Sequence, residues 1–315
     1  MLISVGKGLH FFEFTSSGMP SNDHHGNDLC HALLLAGPGD PASAMTDGTL
    51  TVFNVNCQYL RFKNDWLSRL NRVEVLQLGR WQNSVEHHIE VEYEDCLNDL
   101  GSQTSLRYLS LRGISRLTNL PRSVLKLISL EILDLRACHN LEKLPSDISA
   151  LRNLTHLDVS ECYLLESMPD GIHKLSALQV LKGFAIGSVG RNPCKLSQLA
   201  QLERLRKLSI RIGNEAVGKG EFSKLKDFKA LEILVISCGA HTEASLETFS
   251  APLTLRKLDL RCIPLEQMPD WLEPGVLQDL KKLYIRGGKL KSLENIGKQT
   301  WKVKIVLLKY LKWCT

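Results

Sequence analysis

Leu106-Arg107-Tyr108-Leu109-Ser110-Leu111-Arg112-Gly113-Ile114 is followed 24 residues later by Leu130-Glu131-Ile132-Leu133-Asp134-Leu135-Arg136-Ala137-Cys138. After the same interval comes Leu154-Thr155-His156-Leu157-Asp158-Val159-Ser160-Glu161-Cys162, and a fourth copy opens at Leu178. Working outward, each copy continues with matching apolar positions. Leu117, Leu120-Pro121, Val124 and Leu127 correspond to Leu141, Leu144-Pro145, Ile148 and Leu151, then to Leu165, Met168-Pro169, Ile172 and Leu175. In L-x-x-L-x-L the last two leucines are two apart, so on an extended strand they point to the same side. That side is core, and the residues between them point outward. The ninth position (Ile114, Cys138, Cys162) turns the chain inward. The following proline fixes φ and suits the start of a short helix or 3₁₀ turn.

A fixed period in the 20–29-residue range with this spacing is the leucine-rich-repeat signature. The fold class expected is therefore α/β: a leucine-rich-repeat solenoid, curved, with parallel strands on a concave face and short helices and turns on a convex face. One repeat cannot bury its apolar side alone, but stacked neighbours can. Such an array is built for binding and needs no pocket for chemistry.

The chain of 315 residues divides by this pattern. Residues 1–27 have no period and read as irregular or disordered. Residues 28–105 read as degenerate first repeats that include an acidic loop, with Glu86, Glu90, Glu92, Glu94, Asp95 and Asp99 and no lysine or arginine among them. Residues 106–181 hold the regular repeats. Residues 182–315 resume the ladder irregularly at Leu205, Leu231, Leu255 and Leu280, after an interruption by Gly183-Phe184-Ala185-Ile186-Gly187 and Gly190-Arg191-Asn192-Pro193. Apolar residues before these strands recur at helical spacing, as in Leu196, Leu199 and Leu202, and predict short convex helices. The last ladder, Ile305, Leu308, Leu311, starts a repeat without finishing it, so the array is expected to be truncated. Residues 281–315 carry ten lysines and arginines against Glu294, a charge of +9, while the whole chain carries +5. The two charged ends read either as solvated surfaces or as an electrostatic docking end.

Catalytic motifs are missing from the sequence: there is no G-x-x-x-x-G-K-[ST], no H-E-x-x-H and no G-x-S-x-G. No cofactor, metal or enzymatic activity is expected. Cys138 and Cys162 fit small buried residues at the strand exit, and His24-His25 and His87-His88 fit exposed loops. No stretch approaches 18 consecutive apolar residues, so no transmembrane segment is expected, and the first residues lack a secretory pattern. With nine cysteines and no metal-ligand spacing, the expected location is cytoplasmic. The basic end lacks interleaved aromatics, so no nucleic-acid partner is expected.

One outward position is informative. The residue after the last core position of each strand is arginine in five of seven ladders: Arg112, Arg136, Arg211, Arg261 and Arg286. Two residues earlier stand Ser110, Asp134, Asp158, Ser209, Val235, Asp259 and Tyr284. These columns read either as a self-satisfied ladder, with Asp134–Arg136 and Asp259–Arg261 pairs, or as a surface on which Arg112, Arg211 and Arg286 meet a partner. The candidate protein-binding residues of the concave face are Tyr108, Arg112, Asp134, Arg136, His156, Asp158, Arg211, Asp259, Arg261, Tyr284 and Arg286.

Together with Val75-Leu76-Gln77-Leu78-Gly79-Arg80-Trp81 and Leu178-Gln179-Val180-Leu181-Lys182-Gly183-Phe184, the quoted repeats, with their cysteine turn and Leu-Pro step, resemble the leucine-rich-repeat region of plant intracellular NB-LRR disease-resistance proteins of the coiled-coil type. The resemblance spans roughly residues 30–314. It implies a recognition and regulatory solenoid of plant innate immunity. The implied partners are proteins: a pathogen effector, a host effector target, or a nucleotide-binding module of the same receptor class. Because no phosphate-binding loop is present, the chain is expected to be a receptor fragment or decoy without that module. An intracellular scaffold or adaptor without an immune role is the alternative.

Overall fold

The computed structural model describes residues 32–35, 49–54, 57–60, 66–70, 72–80, 89–91, 94–187, 193–213, 220–239, 248–272, 276–292 and 302–311. The segment 1–27, both histidine pairs, residues 84–88 and 92–93 of the acidic stretch and the 190–192 interruption lie outside this set. The described chain forms two compact units, Met1–Pro145 with Glu161–Leu164, and Ser146–Ser160 with Leu165–Thr315.

In the first unit the strands β1 (Ala32–Leu35), β2 (Thr51–Asn54), β4 (Val75–Gln77), β6 (Tyr108–Ser110) and β7 (Ile132–Asp134) lie side by side in chain order, all parallel. β3 (Tyr59–Leu60) and β5 (Glu90–Val91) form a separate parallel pair. Register places Val52, Leu76, Leu109 and Leu133 in one row, all fully buried. This row is the fourth position of each ladder, so the core is the alternation read from sequence. Asn54 occupies a core position where other repeats have leucine. Its amide donates to the Leu78 and Cys57 carbonyls at 2.8 and 2.9 Å and accepts from the Cys57 amide, which satisfies a buried polar group. Cys138 and Cys162 sit fully buried at the strand exits, their thiols donating to the Leu111 and Leu135 carbonyls at 3.1 Å. Burial pushes the Cys138 thiol up to about 12. After Pro121 the chain makes a 3₁₀ helix, Arg122–Lys126, that buries Val124. The acidic stretch was expected as a loop, but from Glu94 it forms a 3₁₀ helix to Ser102. Leu97 and Leu100, one 3₁₀ turn apart, are buried, and Asn98 and Asp99 face out.

The second unit stacks β8 (His156–Asp158), β9 (Val180–Ile186), β10 (Lys207–Ile212), β11 (Ile233–Cys238), β12 (Lys257–Arg261), β13 (Lys282–Arg286) and β14 (Ile305–Lys309), again parallel and in chain order. Leu157, Leu181, Leu208, Leu234, Leu258 and Leu283 form its buried row. Gly183 does not end the fourth ladder. It is a bulge inside β9, with the register against β10 shifting there. Its φ of +82 suits glycine, and a Cβ would stand 2.6 Å from the backbone of Val159 and Ser160. Among the described residues the connecting segments form the short helices expected, but mostly as 3₁₀ turns: Ile148–Ala150, Asp170–Lys174, Glu221–Asp227 and Asp270–Leu272, with α1 (Leu196–Leu199) α-helical. A period near 24 residues leaves room for only one or two turns there. The Gln198 side chain accepts from the Lys195 amide at 2.7 Å and donates to Asp170, fixing the start of α1.

Candidate protein-recognition face

Strand alternation sends every second side chain outward, and stacking aligns these into rows. In the first unit the Tyr108 hydroxyl donates to Gln77 at 2.8 Å. Burial, then the nearby Asp134 carboxylate, raises its pKa. Arg112 is half-buried beside Ser110, whose hydroxyl accepts from the Arg112 amide at 3.5 Å. The Asp134–Arg136 pairing takes a different form from a side-chain ion pair. Asp134 accepts from the Arg136 backbone amide at 3.0 Å and from the Ser110 hydroxyl at 3.4 Å. The Arg136 guanidinium instead reaches Glu161, with Nε at 3.0 Å. Glu161 lies in the turn after the next strand at φ 64, where its carbonyl also meets His139. His139 in turn stacks on Tyr163, ring centroids 5.4 Å apart.

In the second unit His156 and Asp158 stand on β8. Burial, then Lys182 and Lys207, lowers the His156 pKa. Burial alone would raise the Asp158 carboxyl, but the Lys182 ammonium at 2.6 Å and the Ser160 hydrogen bonds hold it below the usual range. Arg211 donates to the Leu165 carbonyl. Asp259 is 1% exposed. Arg261 grips it at 2.9 Å, the in-strand pair read from sequence, and Arg286 approaches from the next strand at 3.4 Å. Tyr284 lies between two cations, with Lys257 Nζ 4.4 Å and the Arg286 guanidinium carbon 5.3 Å from its ring centroid.

Register brings Arg211, Ser237, Arg261, Arg286 and Lys309 into one row, and Ser209, Val235, Asp259, Tyr284 and Leu307 into the row beside it. A third outward row, Lys207, Ile233, Lys257 and Lys282, was not singled out from sequence. Its signal was available, because each lysine directly precedes the second leucine of L-x-x-L-x-L. Burial, then repulsion from Lys182 and Lys257, lowers the Lys207 pKa. These rows present charge and hydrogen-bond donors on the outward side of the sheet. Among the described residues no group of three His, Cys, Asp or Glu side chains could hold a metal ion. Nor is any helix among them long and apolar enough to cross a membrane.

A family model described as a leucine-rich repeat region matches residues 50–298. The chain belongs to the leucine-rich-repeat family. Within that family a stretch of 125 residues is 30% identical to "Disease resistance RPP13-like protein 4" of Arabidopsis thaliana, covering 38% of this chain and 15% of that protein. The chain therefore spans only a small part of the relative's length. Among solved structures, a leucine-rich-repeat protein of Leptospira interrogans is 19% identical, covering 79% of this chain and 69% of that one with a TM-score of 0.44. The InlJ functional domain of Listeria monocytogenes is 12% identical, covering 84% and 59% with a TM-score of 0.49. Leucine-rich-repeat domains are protein-interaction modules, typically without enzymatic activity.

Proposed function

We propose that the chain is a cytoplasmic protein-recognition and regulatory region of plant innate immunity, sensing a pathogen effector or an effector's host target. The observation that carries this reading is the 30% identity over 125 residues to a plant disease-resistance protein, in a chain of the leucine-rich-repeat family. The recognition residues proposed are those of the outward rows, Arg112, Arg136, Arg211, Arg261 and Arg286 with Tyr108, Asp134, His156, Asp158, Asp259 and Tyr284. A reducing location agrees with Cys138, Cys194, Cys238 and Cys262, which are thiols outside any disulfide among the described residues. A nucleotide-binding module of the same receptor class is a further partner consistent with the resemblance. The test is an interaction screen in plant cells against pathogen effectors and their host targets. The protein is compared with an Arg112→Gln, Arg211→Gln, Arg286→Gln variant of equal melting temperature. Effectors or their targets should be recovered by the first and lost by the second. Partners that belong to constitutive complexes, unchanged by infection, would favour a scaffold instead.

A further inference from the structure

Three of the four strands β10 to β13 carry one charge pattern on their outward side, and β11 interrupts it with Ile233, Val235 and Ser237. Lys207, Lys257 and Lys282 hold the first outward position, and Arg211, Arg261 and Arg286 the third. Between them runs the row of Ser209, Val235, Asp259 and Tyr284. Six cations thus stand against one carboxylate, a formal +5 over four strands. That carboxylate, Asp259, is already held by Arg261 and Arg286 and is almost inaccessible. Lys207 and Lys282 make no ion pair among the described residues. The crowding is felt by Lys207, whose ammonium is disfavoured by burial and by its lysine neighbours.

The spacing suits one kind of ligand. Alternate residues on a strand are roughly 6.6 Å apart, so the two cationic rows run about 13 Å apart with the third row midway. Strands stack at about 4.8 Å, so the pattern extends about 14 Å, the reach of roughly four extended residues. An extended peptide lying along the middle row sends successive side chains alternately to either side. Its uncharged backbone can pass over Asp259. Leucine-rich-repeat domains are protein-interaction modules, which favours a peptide over a polynucleotide here. We propose that the outward face of β10 to β13 docks an extended acidic segment of a partner protein, its carboxylates alternating between the lysine row and the arginine row. This rests on the recognition reading above and specifies the partner's chemistry.

The experiment measures binding of a labelled poly-glutamate peptide, a poly-glutamine peptide and an oligothymidylate of the same length to the full chain, at low and high salt. Two charge-matched variants are compared. Lys207→Glu with Lys282→Glu alters the face, and Lys224→Glu with Lys226→Glu alters the 3₁₀ helix Glu221–Asp227. Poly-glutamate should bind, weaken with salt, and lose about 10-fold or more in the face variant but under about 2-fold in the control. Should the face variant melt early, Lys207→Gln with Lys282→Gln replaces it, with a loss of about 3-fold expected. Equal losses in the two variants, equal binding of poly-glutamine, or tighter binding of the oligothymidylate overturns the proposal. A partner that needs the arginines but ignores the lysine pair removes only the acidic-segment inference. A partner indifferent to both sets removes the recognition reading itself.

Discussion

Replacing Leu133 tests the repeat register at its best-defined point. Leu133 is fully buried and pairs in register with Leu109, itself fully buried. Leu130 and Leu135, from the same ladder, are equally inaccessible. Leu133→Ala removes apolar atoms from a packed layer and should cost about 3 kcal/mol, within the usual 2–5 for such truncations. Leu133→Asp adds an unpaired buried carboxylate and should cost several kcal/mol more. The neighbouring Asp134 points outward, yet it accepts the Arg136 amide and the Ser110 hydroxyl. Asp134→Ala should therefore cost about 1 kcal/mol, the worth of a lost hydrogen bond, rather than nothing. The assay is urea unfolding followed by far-ultraviolet circular dichroism, with hydrogen exchange to localise the loss, because repeat arrays can unfold in parts. Equal loss from Leu133→Asp and Asp134→Ala would refute the register and with it the assignment of the outward rows.

Gly183→Ala should destabilise by about 2–3 kcal/mol, since the positive φ and the 2.6 Å approach to Val159 and Ser160 leave no room for a methyl; an unchanged melting temperature would remove the bulge. The Cys138 thiol, raised to about 12, stays protonated in the folded chain while the unfolded thiol ionises near its ordinary value. The folded state then binds more protons above pH 9, so this contribution is full below that pH and is lost as pH rises towards 12. Cys138→Ala should flatten that alkaline decline, and an identical pH profile would contradict it. Calorimetry with ADP or ATP should show no saturable binding, because the sequence lacks the G-x-x-x-x-G-K-[ST] motif that cradles phosphates; a micromolar site would defeat that expectation.

The regular repeats were legible because the same positions recur in each copy, and alternation alone separates Leu109 and Leu133 from Tyr108 and Asp134. Legibility faded where a different chemistry fills the same geometry. Asn54 breaks the apolar ladder, yet it sits in the core because the Leu78 and Cys57 carbonyls satisfy it. Gly183 reads as an interruption because a bulge and a break both ask for glycine. Outward rows follow from the register, but the partners of their side chains do not. Arg136 finds Glu161 in a turn 25 residues away, and Arg211 finds the Leu165 carbonyl 46 residues back. Such contacts depend on how turns come back beside strands, which spacing within one repeat does not encode.

Lysine-reactive covalent footprinting, with a bound partner and without, tests recognition by the strand face most directly. Lys207, Lys257 and Lys282 point outward from β10, β12 and β13, whereas Lys224 and Lys226 lie on the 3₁₀ helix Glu221–Asp227. The account predicts that a bound partner protects the three strand lysines and leaves the helix pair as reactive as before. Protection of Lys224 and Lys226 with the strand lysines unchanged would contradict it.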